Sequence, residues 1–142
     1  MAKNGRLVWA LAVVLPFALA PALVSAHGDV APQPVNTAGL DPLGDPWRES
    51  NPYRANKVAI GIGKSAYAQQ CARCHGLQGI SGGLAPDLRY LPRDAEGDKV
   101  FLAPMRKGVF RDGRTLMPKF EGIVSQEGMW AIRAWLDTIY EE

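Results

Sequence analysis

The two cysteines of this 142-residue chain lie three positions apart and are followed at once by a histidine, in the run Cys71-Ala72-Arg73-Cys74-His75. Two thiols at this spacing near a helix end reach the two vinyl groups of one porphyrin and form thioethers, which directs the adjacent histidine at the iron. A chain tethered in this way folds around the group that it holds. We therefore predict one covalently bound haem c, attached through Cys71 and Cys74, with His75 as an axial ligand of the iron.

Three other interpretations of the same run have less support. A thioredoxin-type redox pair follows a strand, and no strand pattern precedes Cys71. A zinc site needs four ligands, and the chain offers only Cys71, Cys74, His75 and the distant His27. A plain disulfide between the two cysteines would leave His75 without a role.

The second axial ligand must come from the other face of the haem, so we expect it far downstream of His75. Methionine is the candidate residue type, and Met117 and Met105 are the two candidates. Met117 falls in a predicted loop and precedes Pro118, which favours an extended backbone at Met117. Met105 falls in a predicted helix, where it would fill the haem pocket as a flexible apolar side chain. We favour Met117, and a His–Met pair raises the reduction potential.

Residues 1–26 have the features of an export signal. Lys3 and Arg6 precede an apolar run from Leu7 to Ala20, and small residues end the segment at Ala26. We expect a cleaved signal peptide, which leaves a soluble periplasmic protein without a membrane span; the alternative is a retained anchor. An exposed N-terminal His27 could chelate copper only together with a second histidine.

The composition suits one globular domain, because 47% of the residues are hydrophobic and 21% are charged. Beyond residue 26 the chain has 14 basic and 14 acidic residues, which excludes a polycationic nucleic-acid binder.

The charges are unevenly placed: residues 64–119 contain ten bases and five acids, whereas residues 120–142 contain one base and five acids. We therefore predict a basic docking surface around the haem edge that steers the protein to an acidic partner. Its candidate residues are Arg106, Lys107, Arg111, Arg114 and Lys119. The alternative is that these are ordinary solvated loop charges.

The chain divides into three parts, of which the export signal is the first. Residues 27–56 contain five prolines and no periodic pattern, so we expect an extended arm, packed on the domain through Trp47 and Tyr53. Residues 57–142 form the domain. Its predicted helices are 64–74, 98–107 with Asp98 as cap and Pro104 inside, and a C-terminal helix capped by Ser125. We predict loops elsewhere, including 108–124, and no strands.

With these features the chain resembles the class I c-type cytochromes over residues 61–140. The matching motifs, in order, are Tyr67-x-x-x-Cys71-x-x-Cys74-His75-Gly76, Ala85-Pro86-Asp87-Leu88 and Met117-Pro118-Lys119-Phe120. The resemblance implies an all-α fold of about three main helices and long loops wrapped around one covalent haem. It also implies that the Pro86 carbonyl accepts from the second ring nitrogen of His75. Gly61 or Gly63 and Trp135 would lie where the first and last helices cross.

A narrower resemblance extends into the arm. Asn51-Pro52-Tyr53-Arg54, the loop 81–88 and Asp112-Gly113-Arg114 are similar to the small cytochromes c that accept electrons from PQQ-dependent (quinoprotein) ethanol dehydrogenases in the bacterial periplasm. This resemblance implies a monomeric one-electron carrier and not an enzyme, with that dehydrogenase as donor and a downstream cytochrome or terminal oxidase as acceptor. The alternatives are a haem protein with an open axial site, acting as a gas sensor or small-molecule redox enzyme, a carrier for a different dehydrogenase, and a haem subunit of a larger complex.

Overall fold

The computed structural model describes residues 31–142; the predicted signal peptide and His27 lie outside the described residues. Three longer helices dominate, as predicted, and the all-α prediction is confirmed broadly, since the fold is mostly helical with one small sheet: α1 is Lys57–Gln70, α3 is Ala95–Lys107 and α4 is Gln126–Leu136. A short helix, α2, spans Ala72–His75, and single 3₁₀ turns lie at Leu77–Gly79 and Asp137–Ile139. No helix within residues 31–142 combines the length and the apolar character needed to cross a bilayer.

Helix α1 begins seven residues earlier than the sequence predicts. The side chain of Asn56 accepts hydrogen bonds from the backbone N–H groups of Val58 and Ala59, at 2.9 and 3.1 Å, and so caps the helix. Two glycines in the first turns, Gly61 and Gly63, weaken the helical pattern in the sequence and explain the difference. The helix is needed there because these turns pack against α4.

The α1–α4 crossing is the centre of the core. A Cβ at Gly63 would lie 1.9 Å from the carbonyl oxygen of Ala131, whereas one at Gly61 would meet open space. Gly63 is therefore the residue that permits the close approach. The rings of Tyr67 and Trp135 lie on the same contact, with centroids 4.4 Å apart.

Ser125 caps helix α4, as predicted: the Ser125 hydroxyl accepts a hydrogen bond from the Gly128 N–H at 3.2 Å. Every residue from Gly128 to Leu136 is buried, including the charged Arg133. A helix buried on all sides must be covered by the rest of the chain, and this is how α1, α3 and the arm are arranged.

Helix α3 starts at Ala95 with Asp94 as its cap, and the prediction that Asp98 is the cap is wrong. Asp98 lies inside the helix with no exposed surface, and its carboxylate accepts from Arg133 Nε at 2.9 Å and Arg54 Nη2 at 2.6 Å. Pro104 is accommodated within the helix, which ends at Gly108.

A short antiparallel hairpin occupies the region predicted to be loop. Strand β1, Val109–Arg111, pairs with β2, Arg114–Met117, across a two-residue turn. Asp112 and Gly113 both have positive φ, at 50° and 72°. This is the pattern of a type I′ turn, for which Asp-Gly is a preferred sequence. The prediction of no strands missed this signal because the flanking residues do not alternate cleanly between apolar and polar.

The middle of the arm lies across the N-terminal end of α4. The N–H of Leu43 donates to Glu127 at 2.8 Å, and the N–H of Arg48 donates to Gln126 at 2.5 Å. Trp47 is partly buried and packs against the core. The arm thus follows a fixed path, which ends at the Asn56 cap of α1.

Candidate haem site

A cavity of about 430 Å³ opens between the α1–α2 junction, the loop 84–88, α3 and the hairpin. Its walls are mainly apolar and include Leu88, Phe101, Ile132 and Leu136. The site residues predicted from the sequence, other than the docking residues, all line it: Cys71, Cys74, His75, Pro86 and Met117. Five residues spread over 47 positions of the chain are therefore brought to one pocket.

The two cysteines lie where α1 gives way to α2. The N–H of Cys71 donates to the Tyr67 carbonyl at 2.8 Å, and the N–H of His75 donates to the Cys71 carbonyl at 2.9 Å. Burial, and then the neighbouring Cys74, raises the pKa of the Cys71 thiol to about 12. Redox-active cysteines have lowered values, so a neutral buried thiol does not suit a thioredoxin-type pair.

The zinc interpretation also lacks support in the described part of the chain. Residues 31–142 contain no group of three or more His, Cys, Asp or Glu side chains placed to hold a metal ion. The set that the cavity does present is two thiols, an imidazole and a thioether within apolar walls. These groups are the donors that a covalently attached haem requires, so the residues present fit the cofactor.

The ring of His75 is oriented by one backbone carbonyl. Nδ1 of His75 lies 2.8 Å from the Pro86 oxygen, so the ring donates there and Nε2 is the nitrogen left for a metal. The loop that presents Pro86 is held by Asp87, whose carboxylate accepts from the N–H of Ser81 and from Arg89. The Arg89 guanidinium lowers the pKa of Asp87 to about 2.

Both methionine candidates line the cavity. Met117 ends β2 and is followed by Pro118, whereas Met105 lies in α3 and is 2% exposed. The hairpin pairs Met117 with Val109, so the strand fixes the backbone of Met117 in the extended form that the sequence predicts. The assignment of Met117 as the ligand stays a prediction.

The five predicted docking residues differ in their surroundings. Arg106 donates to Glu121 at 2.8 and 3.1 Å and lies over the Trp47 ring, 4.4 Å from its centroid. Lys119 is 3.9 Å from the same carboxylate. Within residues 31–142, the structure shows no ion pair for Lys107, Arg111 or Arg114, which are exposed.

Exposed apolar side chains of the hairpin were not predicted as functional. Phe110 is 64% exposed and Leu116 is 53% exposed, and Val109 is beside them. Val109 and Leu116 also line the cavity mouth. The Asp112-Gly113 turn is the sequence signal that could have located this surface, since it places Phe110 and Leu116 on one ribbon.

Known proteins share both the sequence and the fold. A family model described as cytochrome c oxidase, cbb3-type, subunit III matches residues 59–136. Cytochrome c550 of Pseudomonas aeruginosa is 53% identical over 122 residues, which are 83% of this chain and 84% of that protein.

Two further similarities are more distant. Quinohemoprotein alcohol dehydrogenase ADH-IIG of Pseudomonas putida is 33% identical over 97 residues, which are 68% of this chain and 13% of that protein. The crystal structure of cytochrome cL from Methylophaga aminisulfidivorans superimposes with a TM-score of 0.52 over 72% of each chain, at 20% identity, and shares the fold. The family match and the 53% identical relative show that the chain belongs to the class I c-type cytochromes, as a monohaem electron carrier that binds its haem c covalently.

Proposed function

We propose that this cytochrome is a periplasmic carrier that takes single electrons from a quinoprotein (PQQ-dependent) alcohol dehydrogenase and passes them to a downstream cytochrome or terminal oxidase. One observation carries the proposal: Cys71, Cys74, His75 and Met117 line a single apolar cavity. A carrier needs both axial positions filled, because a saturated iron exchanges electrons without binding a substrate.

Each of these residues has its own task. Cys71 and Cys74 would hold the haem covalently, and His75 and Met117 would bind its iron. The haem iron supplies the one-electron couple. The Pro86 carbonyl fixes the ring of His75 and increases its donation to the metal. The apolar walls limit access of water to the site, which together with the thioether ligand favours a raised reduction potential.

The choice of donor is supported by a relative. In quinohemoprotein alcohol dehydrogenase ADH-IIG, a segment similar to this chain forms about an eighth of the polypeptide. A cytochrome domain within an alcohol dehydrogenase is placed to receive its electrons. A separate protein with a similar sequence can perform the same step by diffusion and docking.

The proposed location depends on residues 1–26 acting as a cleaved signal peptide. The arm 27–56 and the cytochrome domain 57–142 would then form the mature protein, which we propose is a monomer. Attachment of haem c takes place after export, so the C-x-x-C-H run and an export signal support each other.

The hairpin is the proposed docking surface. Lys107, Arg111 and Arg114 supply positive charge beside the exposed side chains of Phe110 and Leu116, at the mouth of the cavity. Charge steers the encounter, and the apolar patch excludes water at the contact. Arg106 and Lys119 contribute less charge, because each lies against Glu121.

The donor is tested by mixing. Purified quinoprotein alcohol dehydrogenase, reduced with ethanol, is combined with the oxidised cytochrome in a stopped-flow spectrometer and the haem bands are followed. We expect reduction within seconds, at a rate proportional to cytochrome concentration. A nicotinamide-dependent alcohol dehydrogenase with ethanol is the control. Equal rates with both enzymes, or none with the quinoprotein, would show that the donor is a different one.

The docking surface makes a separate prediction. Charge reversal at Arg111→Glu or Arg114→Glu should lower the second-order rate about tenfold at low salt, because steering is lost. The difference should vanish near 1 M salt, where charges are screened beyond about 3 Å. Lys99→Glu is the control: it makes the same charge change on α3, at an exposed residue that does not line the cavity. A rate independent of salt in the wild type would remove the electrostatic part of the proposal.

A further inference from the structure

We propose that Arg106 is a positioning residue, and that together with Trp47 and Glu121 it fastens the loop carrying the methionine ligand to the N-terminal arm. These three residues are called the clamp below. The inference rests on the proposed role of Met117 as the axial ligand. It gives the arm a role in the redox site, and it gives Arg106 a role other than docking.

The contacts of Arg106 are made on two sides of one planar group. Its Nε and Nη2 both donate to Glu121 Oε1, at 3.1 and 2.8 Å. Cζ of the same guanidinium lies over the Trp47 ring, 4.4 Å from its centroid. Trp47 is in the arm, Arg106 is in the last turn of α3, and Glu121 follows β2. Three separate parts of the chain therefore meet at one side chain.

The geometry explains why arginine occupies this position. A guanidinium presents a fork of N–H donors to a carboxylate and, at the same time, a flat face to an aromatic ring. A lysine ammonium would keep the charge but lose the fork and the stacking. Position 106 therefore needs the shape of arginine as well as its charge.

Glu121 lies only four residues after Met117, and the loop between them is also fixed by its backbone. The N–H of Phe120 donates to the Met105 carbonyl at 2.9 Å, and Phe120 is 2% exposed. On the other side, Met117 pairs with Val109 across the hairpin. The loop is thus held on both sides of Pro118, by β1 before it and by the end of α3 after it, with the clamp at the outer end.

A held loop makes the thioether hard to displace. An external ligand such as imidazole can bind the oxidised iron only when Met117 moves away. The free energy needed to open the loop therefore weakens the apparent affinity for imidazole. Removal of the Arg106–Glu121 contact, or of the Trp47 stacking, should make opening easier. We expect Arg106→Gln to bind imidazole about fivefold to tenfold more tightly than the wild type.

The experiment is an imidazole titration of the oxidised holoprotein, followed by loss of the far-red sulfur-to-iron absorption band. The variants are Arg106→Gln, Arg106→Lys, Glu121→Gln and Trp47→Leu. Lys99→Gln is the control, because it removes one positive charge from α3 at an exposed site whose ion pair is with Glu96. We expect the tightest binding for Arg106→Gln, an intermediate affinity for Arg106→Lys, and the wild-type value for Lys99→Gln.

A double-mutant cycle tests the connection itself. Trp47 and Glu121 both contact Arg106, so the effects of Trp47→Leu and Glu121→Gln should be non-additive. The coupling should disappear when both are measured in the Arg106→Gln background. Amide hydrogen exchange gives a second readout on the protein: the Phe120 N–H should exchange faster in Arg106→Gln, while amides of α1 and α4 keep their rates.

The outcomes separate this proposal from the proposed function. If the wild type shows the far-red band but Arg106→Gln binds imidazole no more tightly than Lys99→Gln, the clamp is overturned and the carrier function stands. Additive effects in the cycle would also overturn it. If the wild type lacks the band, the proposed ligand fails and the clamp fails with it.

Discussion

Asp87 shows how a single carboxylate maintains the geometry of the site. It accepts from the N–H of Ser81 and from the backbone and side chain of Arg89, and the residue before it presents its carbonyl to His75. Because Arg89 lowers the pKa of Asp87 from 3.8 to about 2, the ionised form is favoured by folding. The stabilisation is present above the unfolded value and is lost as the pH falls toward 2.

The lowered pKa of Asp87 predicts how the stability of Asp87→Asn should depend on pH. The substitution should destabilise the holoprotein at pH 7, because the amide cannot accept from Arg89 as a carboxylate does. The difference from the wild type should shrink as the pH falls from about 4 to 2, where the wild-type carboxylate becomes protonated. Urea denaturation at several pH values measures it. A difference independent of pH would contradict the assignment of Asp87 as the stabilising anion.

Helices α1 and α4 approach each other so closely at Gly63 that no side chain fits between them. Gly63→Ala would place a Cβ 1.9 Å from the Ala131 carbonyl oxygen, so the helices must separate. We expect the free energy of unfolding to fall by about 3 kcal/mol, the upper end of the usual cost of overpacking.

Gly61→Ala is the matched control on the same helix. Its Cβ would meet nothing within 4 Å, so it should be neutral or stabilise the protein by about 0.5–1 kcal/mol through helix propensity. Thermal unfolding of both holoproteins makes the comparison. Equal effects of the two substitutions would show that the crossing is not at Gly63.

Helices α3 and α4 are joined to the arm by a buried ionic cluster. Asp98 and Arg133 have no exposed surface, and Arg54 of the arm binds both Asp98 and Asp137 at 2.6 Å. The N–H of Asn51 adds a further hydrogen bond to Asp98, at 2.8 Å. The cluster pairs two arginines with two aspartates, so charge is balanced inside the protein.

Removal of one member should leave a buried charge without its partner. We expect Asp98→Asn to cost about 3–5 kcal/mol of unfolding free energy, measured by urea denaturation of the holoprotein. Glu96→Gln, at an exposed position two residues earlier in α3, should cost less than about 1 kcal/mol. A small effect of Asp98→Asn would indicate that the arginines have other partners.

The helices illustrate what the sequence could predict. Ser125 caps α4 and Gly108 ends α3 as expected, since caps and glycines act through neighbouring residues. The prediction of Asp98 as the cap is wrong because an aspartate near the start of a helix can serve either as a cap or as the buried partner of an arginine, and the sequence does not distinguish the two. The partner that distinguishes them, Arg133, is 35 residues away and is identified only by the fold.

In the candidate site too, features set by neighbouring residues are predictable, and contacts between distant residues are not. Cys71, Cys74 and His75 are predicted as site residues from their spacing alone, because the attachment chemistry depends on adjacent residues. The different environment of Arg106 could not be found from the sequence, since Trp47 and Glu121 reach it from distant parts of the chain. Local chemistry can thus be read from the sequence, and pairings across the fold cannot.

For the molecule as a whole, the cavity explains why few helices suffice. The site is a cavity of about 430 Å³ with mainly apolar walls contributed by α1, α3, α4 and the hairpin, so a haem held there would supply the central packing contacts of these elements. The haem therefore completes the core, and the long loops are ordered around it.

The haem-free chain should accordingly lose its cooperative fold. We expect a Cys71→Ala/Cys74→Ala variant without haem to have far less helix by circular dichroism and no sharp thermal transition. The holoprotein measured in the same buffer is the reference. A haem-free variant that melts as cooperatively as the holoprotein would show that the polypeptide organises its own core.

The most direct test of the account is the far-red absorption of the oxidised protein at neutral pH, recorded for the wild type and for Met117→Leu. A carrier with iron held by His75 and Met117 should show the weak sulfur-to-iron band in the wild type and lose it in the variant. A wild type without the band, or a Met117→Leu variant that keeps it, would contradict the ligation on which the proposed electron transfer depends.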